Sequence, residues 1–202
     1  IITEGQTWDL DRFEGGEVVR LDTADELELY AYQVAGSVGE FWTEIGFAST
    51  DKFAREDRAT LLKWGANYGR GLQLVNILRD IPEDLDRGRC YLPGAGGVEP
   101  DELMEVAQTW RGRAREYLAD GFRYTAALHG VKLRAATGLP ALLGVRTLDR
   151  LDRASWDDLE EGVKVSRKQV KRSLAHAFAM SLPVLPGSWQ AQYRRACLGA
   201  QS

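Results

Sequence analysis

Cysteine is scarce in this chain: Cys90 and Cys197 are the two present, far apart and in no CxxC arrangement. That excludes a disulfide framework or a cysteine zinc knuckle and fits a reducing, cytoplasmic compartment. Histidine is equally sparse. His129 and His176 have no partner at the spacing of a metal pair or a catalytic triad. No apolar run approaches the roughly 20 residues that span a bilayer, although AHAFAMSLPVL near the end is suited to lying on a membrane surface, so peripheral association is open. No block of like charge appears and the net charge is -4, which argues against nucleic acid as a partner. Sustained strand-type alternation, internal repeats and low-complexity tracts are absent, and there is no GxGxxG fingerprint.

What is present is a globular balance, 44% hydrophobic and 28% charged residues over 202 positions, enough for one domain with a real core. Helical periodicity dominates, and the expectation is a single all-α domain over residues 1–202. At most a short helix is expected around Trp8 to Phe13. Thr23 with Glu26 forms a capping box that opens a helix running to about Gly46. Along it Tyr30, Val34, Val38, Phe41 and Ile45 make one stripe, with Ala35, Gly39 and Trp42 beside it. A second helix is expected from about Arg55 to Ile81, ended or bent by Pro82. Residues 88–97 read as a loop, residues 99–128 as a core helix, and residues 131–151 as a helix kinked near Pro140. A later basic helix carries Lys164, Arg167, Lys168, Lys171 and Arg172, read as a solvated face, with a phosphate contact through Lys164 or Arg167 as the other reading.

The chemistry concentrates between Gly69 and Pro93. At about 100° per residue, Gln73, Asn76, Asp80, Glu83 and Asp84 share an arc of roughly 100° on one helix face. Amides and carboxylates flanked by Leu, Val and Ile are costly to bury unless a cation compensates them. With oxygen donors only, the suitable ions are Mg2+ or Mn2+. Mg2+ takes one or two protein carboxylates and leaves other positions to phosphates, so Asn76, Asp80 and Asp84 read as a platform for a metal-bound diphosphate. The same residues also read as a solvated acidic helix end paired with Arg79, Arg87 and Arg89. Gly65 and Gly69 lie on that face two and three turns earlier. They leave space either for an apolar substrate tail or for a neighbouring helix.

LQLVNILRDIPEDLDRGRCYLP resembles the second aspartate-rich signature of the squalene and phytoene synthase family, QxxNxxRDxxED followed by GRxYLP. YAYQVAGSVGEFW, at 30–42, is similar to the family's YxYxVAGxVG helix. The resemblance implies an isoprenoid synthase-type helical bundle around a central apolar cavity, and head-to-head condensation of two prenyl diphosphates, C15 or C20. It implies Mg2+ on Asn76, Asp80 and Asp84, and catalytic roles for Asp80, Asp84, Arg79 and Tyr30. Substrate contacts are implied for Gln73, Arg89, Tyr91, Val34, Ala35, Val38, Gly39 and Gly69, with Phe41 and Trp42 in the channel wall. NADPH enters only if the product is squalene.

The family also carries an upstream DxxxD helix. Asp9, Asp11, Asp22 and Asp25 do not supply it, and the chain opens IITEGQTW, so it is expected to hold the C-terminal two-thirds of the family's domain. Two other readings stand beside the leading one. One is a cyclase or hydrolase of a single prenyl diphosphate; the other is a non-catalytic helical module that keeps the fold.

Overall fold

A computed structural model of the chain describes residues 18–183 and 187–199, together with Thr3, Thr7 and Arg12. The short helix expected around Trp8 to Phe13 lies outside these residues, Arg12 apart. The described chain is built from helices α1 (Ala24–Ala31), α2 (Ser37–Ser49), α3 (Arg58–Arg79), α4 (Ile81–Asp86), α5 (Pro100–Ala127), α6 (Val131–Leu151), α7 (Trp156–Glu161), α8 (Arg167–Ser181) and α9 (Ser188–Gly199). A π-helical turn, Tyr32–Gly36, joins α1 to α2. The all-helical expectation misses one small element. β1 (Val19–Arg20) and β2 (Arg89–Cys90) pair in parallel, tying the segment read as loop to the residues before α1.

α3 occupies the centre, with α5, α2, the π-turn and α6 all packed on it. Ten of its residues are buried, Leu61, Leu74 and Leu78 among them. Its start is set by Asp57, whose carboxylate accepts from the Thr60 N–H at 2.9 Å. At α1, Thr23 Oγ1 accepts from the Glu26 N–H, while Glu26 reaches the N–H of Asp22 and not that of Thr23. Leu21, Leu27, Leu103, Leu118 and Leu148 fill the main core. Phe53, Leu61, Tyr124 and Leu128 form a second cluster.

Two local irregularities set which side chains face inward around α3. The π-turn inserts an extra residue into the helical count and rotates everything after it by about 100° relative to α1. The stripe expected from Tyr30 to Ile45 is therefore split. Tyr30 is buried, whereas Val38, Phe41 and Ile45 are exposed, and α2 buries Ser37 and Thr43. At Pro140, inside α6, the ring removes one N–H and crowds the carbonyl four residues back. The Tyr68 hydroxyl enters there: it donates to the Thr137 carbonyl at 2.7 Å and accepts from the Ala141 N–H at 2.9 Å. An uninterrupted helix would join those two backbone groups directly.

Candidate functional site

An apolar cleft of about 440 Å³ lies where the π-turn, α2, α3, α5 and α6 meet. The first two contribute Val34, Ala35, Val38, Gly39 and Trp42, and α3 contributes Gly65, Tyr68, Gly69 and Leu72. Tyr124 of α5 and Ala136, Thr137 and Pro140 of α6 close it. The walls hold no charged side chain, and of their three hydroxyls two are engaged elsewhere while that of Thr137 is buried without a hydrogen-bond partner. Tyr68 bonds the α6 backbone, and Tyr124 pairs with Thr43 at 2.8 Å. Burial raises both phenols above their ordinary value, Tyr124 to about 12, so neither ionises near neutrality.

The alternatives left open for the glycines resolve toward helix contact. A Cβ on Gly69 would stand 2.1 Å from the Ala35 carbonyl oxygen, and one on Gly39 2.0 Å from that of Gly65. Backbone of the neighbouring element fills the space, and the cleft opens beside this crossing. Val34, Ala35, Val38, Gly39 and Gly69 all line it, as does Trp42. Phe41 does not, being 63% exposed. Tyr30 stands apart as well, stacked on Tyr91 with ring centroids 4.9 Å apart.

The polar end lies further along the same helix. From Leu72 to Asp80 is eight residues, about 12 Å of α3. Gln73 is half-buried, Asn76 exposed, and Asp80 half-buried at the point where the helix stops, with φ -102° and ψ 15°. Asp80 N–H still bonds the Asn76 carbonyl, and Asp84 N–H the Asp80 carbonyl, so α4 continues α3 through a bend. The bend separates the carboxylates expected on one face. Asp80 lines a polar cleft of about 520 Å³ with Arg79, Glu83, Trp156, Glu160 and Lys164. Asp84 lines a small hollow with Ile77, Arg89, Cys90 and Tyr91. Neither lines the apolar cleft.

Arg79 grips Asp80 with two hydrogen bonds, 2.7 and 2.5 Å, and Arg87 pairs with the exposed Glu83 at 2.6 Å. Burial, and then the Asp80 charge, push Asp84 up to about 7, against the pull of Arg87 and Arg89. A half-buried carboxyl raised by burial and by the charge of Asp80 is a setting a cation relieves, and the donor set is oxygen only, so these residues fit a hard divalent ion. Among the described residues no three of His, Cys, Asp and Glu gather at one point. Chain carboxylates alone therefore leave coordination positions to other oxygens.

Sequence reasoning missed the far wall of the cleft. Tyr68 and Leu72 follow from the helical spacing of Gly65 and Gly69, a signal that was available. Tyr124, Ala136 and Thr137 come from helices whose pairing with α3 no local pattern encodes.

The central helix, its small-residue crossing and the apolar cleft are the architecture of an isoprenoid synthase-type helical bundle. Solved structures agree: TcSQS in complex with a ligand superposes with a TM-score of 0.73 at 18% identity, covering 99% of this chain and 66% of that one. A dehydrosqualene synthase in complex with a ligand gives 0.68 at 24% identity, covering 88% and 62%. The sequence profile for squalene/phytoene synthase matches residues 1–173, and the chain belongs to that family. It is 36% identical over 170 residues to a phytoene synthase of Thermus thermophilus, covering 77% of this chain and 54% of that protein. It is 32% identical over 189 residues to the chloroplastic phytoene synthase 3 of Zea mays, covering 87% and 44%. The chain thus spans about half the length of these relatives.

Proposed function

We propose that the chain supplies one prenyl wall and one diphosphate-ionising edge of an enzyme that condenses two prenyl diphosphates head to head. The observation that carries this reading is α3 itself. Its middle walls the apolar cleft through Gly65, Tyr68, Gly69 and Leu72, and its end presents Asn76, Asp80 and, past the bend, Asp84. Family membership and the names of the relatives support it.

Asn76, Asp80 and Asp84 are the groups that would hold Mg2+, which when bound neutralises charge on the departing diphosphate. Arg79, oriented by Asp80, and Arg89 on β2 add charge-assisted hydrogen bonds to phosphate oxygens. Gln73 lies between these groups and the cleft. Tyr91 closes the floor beside Arg89, and Tyr30 acts as a positioning group by stacking on Tyr91. As the allylic C–O bond breaks, the electron pair leaves with diphosphate. The alkene of the second substrate attacks the cation, and loss of a proton gives a cyclopropylcarbinyl diphosphate. The uncharged cleft keeps water from quenching the cation.

Departure of the second diphosphate, rearrangement and loss of a proton then yield a phytoene-type product with no reductant. The relatives' names favour this ending, and the C20 substrate, over hydride capture from NADPH. The test is product analysis with radiolabelled C15 and C20 diphosphates and Mg2+, with and without NADPH. The expected result is a coupled polyene from the C20 substrate, independent of NADPH, with Asp80→Ala lowering turnover about 100-fold or more. A cyclised or hydrolysed single prenyl unit as the only product overturns the proposal.

A further inference from the structure

A polar pocket of about 320 Å³ lies between α5, α6, α8 and α9, and it shares no residue with the apolar cleft. α6 gives Ala136, Thr137 and Pro140 to the cleft but Leu142, Val145, Arg146 and Asp149 to the pocket. At about 100° per residue the two sets centre on opposite sides of that helix. The two hollows therefore lie back to back across α6.

Each of the four helices gives the pocket one basic side chain: Arg115 from α5, Arg146 from α6, His176 from α8 and Arg195 from α9. The carboxylate in the lining, Asp149, is already committed, because with Asp152 it neutralises Arg115 at 3.2 and 2.5 Å. Arg146 donates to neutral groups, the Ser173 hydroxyl and the Gln169 carbonyl. Among the described residues neither Arg146 nor Arg195 has a carboxylate within ion-pair distance, whereas arginines elsewhere, such as Arg58, Arg87 and Arg113, are paired. Burial first, and then the charges of Arg146 and Arg195, hold His176 below its ordinary value of 6.5. Like charges gathered in a concave site attract an anion. The rest of the lining is largely apolar, with Phe122 and Leu142 buried and Val145 half-buried.

We propose that this pocket binds a small phosphate ester, its phosphate on Arg146, Arg195 and His176 and its carbon portion against Phe122, Leu142 and Val145. Two guanidiniums without a counter-charge suit a dianion, which a phosphate group supplies and a single carboxylate does not. The volume would hold about ten waters at liquid density, more than a bare phosphate fills, so the apolar lining has room for the esterified group. The site stands without the condensation reading, since none of its residues belongs to the cleft or to the carboxylates at the end of α3.

The test is titration of the full chain with phenyl phosphate, inorganic phosphate and acetate, in EDTA so that no divalent ion occupies the carboxylates of α3 and α4. Binding is followed by nuclear magnetic resonance of the imidazole protons, which in this chain belong to His129 and His176. Phenyl phosphate should move the His176 signals, raise the pKa of that imidazole and leave His129 in place. It should bind more tightly than inorganic phosphate, with acetate the weakest of the three. Arg195→Gln should weaken phenyl phosphate binding about tenfold, the equivalent of one charge-assisted hydrogen bond. Asp149→Asn should tighten it instead, because a negative charge is removed while Arg115 keeps its closer partner Asp152. Both side chains are exposed, and opposite signs from the two variants separate loss of the site from loss of the fold. An unmoved His176, equal affinities for phenyl and inorganic phosphate, or binding unchanged by Arg195→Gln overturns the proposal.

Discussion

The hydroxyl of Tyr68 takes the place of one backbone hydrogen bond of α6, the rung next to Pro140. It bridges the Thr137 carbonyl and the Ala141 N–H at the bend of α6 and holds that bend against α3. Tyr68→Phe keeps the ring and removes the bridge, leaving two buried backbone groups without partners. At about 1–3 kcal/mol for each unsatisfied group, the expected loss is about 2–6 kcal/mol. In a chain of this size, at about 2–4 °C per kcal/mol, that lowers Tm by at least about 4 °C. The loss depends on Pro140, because only its ring stops Ala141 N–H from reaching the Thr137 carbonyl directly. In the double variant Tyr68→Phe with Pro140→Ala the helix can close its own ladder, so the two changes should be non-additive, with a coupling of about 1–2 kcal/mol. Urea unfolding of the four forms measures both quantities. A single-variant loss below about 0.5 kcal/mol, or additive behaviour across the cycle, refutes the bridging role. Since Tyr68, Thr137 and Pro140 all line the cleft, on the proposed function the single variant should also weaken prenyl diphosphate binding.

Other contacts carry the remaining predictions. Gly69→Ala sets a Cβ 2.1 Å from the Ala35 carbonyl oxygen, so overpacking should outweigh its gain in helix propensity and cost about 1–3 kcal/mol in thermal unfolding. Gly112→Ala, on α5 with nothing within 4 Å, should instead stabilise by up to about 1 kcal/mol, and the opposite order of the two Tm values would sink the packing claim. Thr43→Val leaves the buried Tyr124 hydroxyl unpaired; it should cost about 1–2 kcal/mol and move the phenol's ionisation higher still, as read by ultraviolet titration, because the Thr43 bond lowers it. Desolvation, with Arg146 and Arg195 nearby, holds His176 below its ordinary value of 6.5. As pH falls through 6.5 the unfolded chain therefore takes up its proton first, and stability drops until the folded imidazole protonates too. His176→Gln should flatten that slope in unfolding measured between pH 7 and pH 5, and an unchanged slope would assign the effect elsewhere.

How far the sequence could be read depends on where each signal resides. Helix positions were legible because they are local. Residues 131–151 are predicted and found without change, and α3 runs within three residues of its expected ends. The family signature was legible for the same reason, being one contiguous run from Gln73 to Pro93. Two kinds of information were not local. One is phase: the π-turn at Tyr32–Gly36 leaves the apolar pattern intact, yet it turns Phe41 and Ile45 to the surface while Tyr30 stays buried. A stripe counted at 3.6 residues per turn assumes an unbroken helix, and nothing in YAYQVAGSVG announces the extra residue. The other is the direction of side chains beyond a break. Pro82 marked the end of α3, but the dihedrals at Asp80 decide that Asp80 turns to the polar cleft and Asp84 to the hollow under Arg89. Helical counting places both on one arc; the bend gives them different neighbours, and burial then raises Asp84. A metal-bound diphosphate that draws on both carboxylates must bridge that bend. The α3–α4 junction at Asp80 to Pro82 is accordingly the point where ligand binding should stiffen the chain most, read as slowed amide exchange at Asp80 and Ile81 when Mg2+ and diphosphate are added together.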